Sequence, residues 1–129
     1  DLSLPSPTIV CEISMDFLNQ ERTSNITDIV RFPTVRRDLA FLVDKDCPIA
    51  SILKAITSNL QQTKGCSIVK KVTPFDVYVG EDLPEGKKSI TFSVVMQDPS
   101  KTLEESELEV ACSGIVKLAE TVEGVSIRV

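Results

Sequence analysis

The side chains that most enzymes use to make and break bonds are missing or scattered in this chain. No histidine occurs in its 129 residues, and Cys11, Cys47, Cys66 and Cys112 are widely spaced with no C-x-x-C pair. That removes Ser-His and Cys-His nucleophile systems and leaves a zinc site without its usual ligand spacing. There is no glycine-rich phosphate loop. The thiols read as small apolar residues in a reducing compartment. What remains is a set of short, hydrogen-bonding side chains around a single tyrosine: Asp38, Ala40, Leu42, Asp76, Tyr78, Ser89, Thr91, Ser93, Ser126 and Arg128. In extended, alternating segments these would share one face. Small hydroxyls leave room there for a flat group resting against Tyr78, as bases rest on the sheets of single-strand RNA readers. An ordinary solvated sheet face accounts for the same residues, and on pattern alone it is the simpler account.

The elements that must position this set follow from periodicity. From Asp38 to Asp44 the apolar residues Leu39, Phe41 and Val43 alternate with Asp38, Ala40 and Leu42, which predicts a strand with one buried side. Asp46 or Cys47 then caps a helix that carries Pro48 in its first turn. Its stripe is Ile49, Ile52, Leu53, Ile56 and Leu60. Ile68 to Val79 predicts a second strand with Thr73, Phe75 and Val77 inward, opposite Asp76 and Tyr78. Glu81 to Lys87 makes a hairpin-like loop, and Ser89 to Gln97 a third strand with Ile90, Phe92, Val94 and Met96 inward. Thr102 to Glu105 reads as a capping box for a helix with the stripe Leu108, Ala111, Ile115, Leu118, Ala119 and Val122, and Gly124 as its C′ residue. Val125, Ile127 and Val129 alternate in a last strand. The order is strand, helix, strand, strand, helix, strand. The fold class is therefore α+β: a ferredoxin-like βαββαβ sandwich, with two helices on one face of an antiparallel four-stranded sheet.

Ahead of this unit, Pro5 and Pro7 mark an irregular start, Ile9 to Ile13 a short strand and Asp16 to Arg22 a helical turn. Asn19 to Asp28 reads as a linker, which puts the boundary near Ile26, with residues 1–25 the end of a preceding domain and 26–129 the folded unit. The length suits one domain, and a first residue that is not methionine suggests a piece of something larger. No apolar run approaches the roughly 18 residues of a membrane span. The net charge of −5 is unevenly spread: residues 31–101 carry eleven bases against eight acids, and both ends are acidic. Charges beyond about 10 Å are largely screened, so acidic ends do not exclude a local phosphate contact.

Four stretches then carry a resemblance: Phe32-Pro33-Thr34-Val35-Arg36-Arg37-Asp38, Phe75-Asp76-Val77-Tyr78-Val79-Gly80, Leu83-Pro84-Glu85-Gly86-Lys87-Lys88-Ser89 and Asp98-Pro99-Ser100-Lys101-Thr102-Leu103. In order and spacing, from about Ile26 to Val129, the chain resembles the C-terminal anticodon-binding module of the bacterial phenylalanine–tRNA ligase β chain. The resemblance implies a non-catalytic, cytoplasmic tRNA-binding module whose sheet face recognises the anticodon stem-loop of tRNA(Phe). It implies no cofactor in this chain, with ATP and Mg used by the catalytic α chain of an α2β2 parent enzyme, and neither membrane nor DNA as a partner. Residue by residue, Tyr78 would stack on an anticodon base, and Asp76 and Ser89 would hydrogen-bond base edges. Arg36 and Arg37 would meet backbone phosphate, unless one of them pairs with Asp38 to pin the start of the strand. Two positions depart from many members, which have a basic residue in place of Val79 and arginine in place of Gln97. An amino-acid-sensing regulatory domain of the same βαββαβ plan is the alternative. It usually has a glycine-rich loop where Asp44-Lys45-Asp46-Cys47-Pro48 stands.

Overall fold

The structure is a computed structural model that describes residues 8–18 and 31–128. A short helix, α1 (Met15–Leu18), precedes the main unit. The expected strand at Ile9 to Ile13 does not form. Those residues lie exposed, Ile9 almost fully so, and an isolated strand has no ladder to satisfy its backbone. The rest of the expected turn beyond Leu18, the linker and the boundary near Ile26 fall outside the described residues.

Four strands form one antiparallel sheet: β1 (Val35–Asp44), β2 (Val69–Tyr78), β3 (Lys87–Met96) and β4 (Ser126–Ile127), in the order β2-β3-β1-β4. Helices α2 (Ile49–Asn59) and α3 (Glu105–Ala119) complete the ferredoxin-like βαββαβ plan. The alternation in β1 and β3 does what period two requires. Phe41, Val43, Ile90, Phe92, Val94 and Met96 are buried against Ile52 and Ile56 of α2 and Leu108, Ala111, Ile115 and Ala119 of α3. At the centre Phe41 and Phe92 meet edge to face, with centroids 5.9 Å apart at 74°, a geometry worth about 0.5–1.5 kcal/mol beyond the area it buries. Gly114 lets α3 approach closely, because a Cβ there would stand 2.7 Å from the buried Cys66 Sγ.

The helix starts differ from expectation. The residue before α2 is Pro48 itself, in extended conformation. Lys88 Nζ instead donates to the carbonyls of Lys45 and Cys47, at 2.7 and 2.8 Å, which secures the loop from β1. At α3 the capping pair is Glu104 and Glu107, with the Glu104 N–H donating to Glu107 Oε2 at 3.1 Å. Thr102 takes no part, and Leu103 packs into the core. The reason is competition: the Glu105 carboxylate is held by Arg37 of β1 at 2.8 and 3.0 Å. Gly124 is not the C′ residue of α3. It turns the chain into β4 at φ +78°, where a Cβ would collide with the Asp44 carboxylate. The last strand is short: Val125 is buried ahead of it, and Val129 is outside the described residues.

The largest correction concerns β2. Cross-strand partners share a face, and the register pairs Val72 with Val94, Pro74 with Phe92 and Val77 with Ile90. Thr73, Asp76 and Tyr78 oppose Ser93, Thr91 and Ser89 on the open side. Phe75 is the extra residue where the register shifts between Pro74 and Asp76. Thr73 and Phe75 therefore leave the inward set, while Val77 stays on the helix side but half exposed, at 48%. A one-residue bulge shifts every later side chain to the other face. It occurs on an edge strand beside a proline, where a missing N–H costs least.

Candidate functional site

The open face of the sheet brings most of the expected site residues together. Asp76 and Tyr78 stand side by side on β2, and across β3 and β1 the floor between them is built from Thr91, Ser89, Ala40 and Leu42. Tyr78 is 43% exposed. Its hydroxyl donates to Asp82 Oδ1 at 2.5 Å. Arg128 donates to the other carboxylate oxygen at 3.2 Å and places its guanidinium carbon 5.7 Å from the ring centroid. Arg128 arrives from the far edge of the sheet, where its N–H donates to the Ala40 carbonyl. It can reach Tyr78 because the residues between are small.

The electrostatics of this cluster are coupled. The hydrogen bond to Asp82, then the negative charge on Asp82, raises the Tyr78 phenol above its ordinary value. The same hydrogen bond holds the Asp82 carboxyl below its own. Gly80 completes the arrangement. A Cβ there would overlap Tyr78 Oη and Cζ and come within 2.7 Å of Asp82 Oδ1. The tyrosine tip thus lies in space that only a glycine leaves open.

The remaining expected residues divide. Ser89 is on the open face but only 2% exposed, between Leu42 and Tyr78. Its hydroxyl is reached from solvent only where those neighbours part. Arg36 is also on the open face. It pairs with Asp38, Nε to Oδ1 at 3.1 Å, and sets its guanidinium 5.1 Å from the Phe75 ring centroid. Arg37 points to the opposite side, into its ion pair with Glu105. The two arginines, adjacent in sequence, cannot serve one surface. Gln97 binds within the protein, donating Nε2 to the Phe32 carbonyl at 2.7 Å and so fixing the approach to β1.

Sequence reading missed Phe75, Gly80 and Asp82 as members of the site, and placed Arg128 on this face without its link to Tyr78 and Asp82. The Tyr-x-Gly-x-Asp spacing was a signal for two of them, since a glycine beside a turn acid leaves room for the ring. Proline inside a strand was the signal for the bulge that exposes Phe75. Among the described residues no cluster of three or more His, Cys, Asp or Glu side chains could hold a metal, and no helix is long and apolar enough to cross a membrane. Concavities also lie on the helix layer, such as a groove of about 300 Å³ lined by Gly65, Ser67, Ile68, Ser106, Glu107 and Val110. Its one charged side chain, Glu107, is already paired with Lys101.

Comparison with known proteins adds an independent line. Residues 30–128 match the family described as the ferredoxin-fold anticodon binding domain. Among curated proteins the chain is similar to the phenylalanine–tRNA ligase beta subunit of Dechloromonas aromatica, 32% identical over 125 residues, covering 97% of this chain and 15% of that protein. It is similar to the beta subunit from Acinetobacter baylyi, 34% identical over 121 residues, covering 94% of this chain and 15% of the relative. It is 41% identical over 101 residues to that of Chromobacterium violaceum, covering 78% of this chain and 12% of the relative. The chain thus spans only 12–15% of the length of these relatives.

Proposed function

This chain belongs to the ferredoxin-fold anticodon binding domain family, and from that premise we propose that its open sheet face reads the anticodon loop of tRNA(Phe). It would do so as a segment, about residues 26–129, of a cytoplasmic phenylalanine–tRNA ligase β chain. The observation that carries this reading is the state of Tyr78, the one tyrosine of the chain, beside the short side chains of Ser89, Thr91 and Ala40. Its ring is exposed, aimed by Gly80 and tethered by Asp82. An aromatic fixed in this way offers a stacking surface at low entropic cost.

The division of labour follows from the chemistry of each group. Tyr78 stacks on an unpaired base. Asp76, on the same face of the same strand, accepts from an exocyclic amine or a ring N–H, which separates bases by their edges. Ser89 donates or accepts beneath them once Tyr78 and Leu42 part. Arg36 supplies positive charge for phosphate, and Arg37 serves the fold through Glu105. No bond is made or broken here. ATP, Mg²⁺ and phenylalanine would belong to the catalytic α chain of an α2β2 assembly. The amino-acid-sensing alternative gains nothing from the β1–α2 loop, whose carbonyls Lys88 already occupies.

The test is a titration of tRNA(Phe), with native or altered anticodon, against the wild type, Tyr78→Ala and Tyr78→Phe. Stacking of one base on an aromatic corresponds to about ten- to a hundred-fold in affinity. Tyr78→Ala should lose that factor and Tyr78→Phe should keep most of the binding. Normal binding by a folded Tyr78→Ala variant would overturn the proposal.

A further inference from the structure

We propose that Phe75 is a second base-stacking station on the open face, with Arg36 holding the place of the base until RNA arrives. This rests on the reading of the face as an anticodon platform and deepens it. The alternating pattern of β2 assigns Phe75 to the core, yet it is 53% exposed. A single exposed apolar side chain is ordinary. Three further features distinguish this one. It sits at the bulge between Pro74 and Asp76, and bulges commonly re-aim a side chain. Its ring carries a guanidinium, Arg36, at 5.1 Å, just as the ring of Tyr78 carries Arg128 at 5.7 Å. Finally, the two rings flank Asp76, the one carboxylate on this part of the strand with no ion pair or hydrogen bond among the described contacts.

Guanidinium planes and nucleobases stack on the same aromatic faces. A flat cation parked over a ring therefore marks where a flat base fits. Arg36 is anchored meanwhile by the Asp38 carboxylate, so it can leave the ring without leaving the face and turn its charge toward the phosphate of the incoming nucleotide. A phenyl ring has no hydrogen-bonding group. The occupant is therefore an unpaired base of any identity, a neighbour of the base on Tyr78. Phe75 would supply affinity, and Asp76 between the rings would supply discrimination.

The experiment uses the anticodon stem-loop of tRNA(Phe) with 2-aminopurine at one loop position at a time, titrated against the wild type, Phe75→Leu, Phe75→Tyr and Tyr78→Ala. Stacking quenches 2-aminopurine, so the wild type should quench it at two positions. Phe75→Leu should abolish the quench at one of them and weaken binding about ten- to a hundred-fold, equally for native and altered anticodons. Phe75→Tyr should restore both. If Phe75→Leu binds and quenches as the wild type while Tyr78→Ala does not, this inference falls and the anticodon reading stands. If the wild type binds no stem-loop, both fall. A Phe75→Leu variant that unfolds would make Phe75 a packing residue and would equally refute the second station.

Discussion

Gly80→Ala isolates the positioning of Tyr78 from its chemistry. Gly80 is not among the glycines with positive φ, so alanine is compatible with the backbone and any penalty is steric. The new methyl group would stand 2.7 Å from Asp82 Oδ1 and overlap the end of the Tyr78 ring. Ordinary contact begins at 3.4 Å, so Asp82 alone must retreat by about 0.7 Å, and Tyr78 Oη by more. Both are ends of flexible surface side chains. The strand stays, the 2.5 Å hydrogen bond breaks, and the ring swings off its station. Because the chain has one tyrosine and no tryptophan, tyrosinate absorbance reports Tyr78 alone. In the wild type the phenol should titrate above the ordinary value of about 10, since Asp82 raises it. In Gly80→Ala it should return toward that value. The melting temperature should fall by less than about 4 °C, while affinity for tRNA(Phe) falls roughly as far as in Tyr78→Ala, about ten-fold or more. A Gly80→Ala protein with an unchanged tyrosinate titration and unchanged RNA affinity would refute the idea that the glycine positions the ring.

The adjacent arginines should separate. Arg36→Ala lowers the slope of log affinity against log salt by about one unit, while Arg37→Ala leaves the slope alone and costs at most about 1 kcal/mol of stability through Glu105; a reduced slope for Arg37→Ala would contradict the assignment of faces. The tether between Tyr78 and Asp82 should be pH-bounded on both sides. The Asp82 contribution is present above its unfolded carboxyl value and is lost as pH falls through its depressed folded value. The Tyr78 contribution is present below its unfolded phenol value and is lost as pH rises through its raised folded value. Melting temperatures should fall less at both pH extremes in a Tyr78→Phe, Asp82→Asn double variant than in the wild type, the remainder coming from groups such as Asp98, Glu107 and Lys101. In the core, Phe92→Ala removes a fully buried ring and its edge-to-face contact with Phe41, which should cost about 3–5 kcal/mol in denaturant unfolding; a loss under about 1 kcal/mol would mean that the ring is not central.

The sequence by itself determined the βαββαβ order, the inward faces of β1 and β3 and the stripes of both long helices. In each of these, period-two or period-3.6 alternation runs unbroken, and burial of apolar area leaves only one orientation. The pairing of Asp76 with Tyr78 on one face was legible for the same reason, since both lie on the same side of the irregularity in β2. What only the tertiary structure decided begins at that irregularity. A bulge is one residue long and leaves no periodic signature, so Phe75 read as core although it faces outward. The ion pair that occupies Arg37 depended on Glu105, 68 residues away in sequence. The guanidinium over the Tyr78 ring depended on Arg128 crossing from the opposite edge of the sheet. Alternation reports the face on which a side chain emerges. Which partner it meets there is set by strand order and by the small residues between, and those exist only once the sheet has closed.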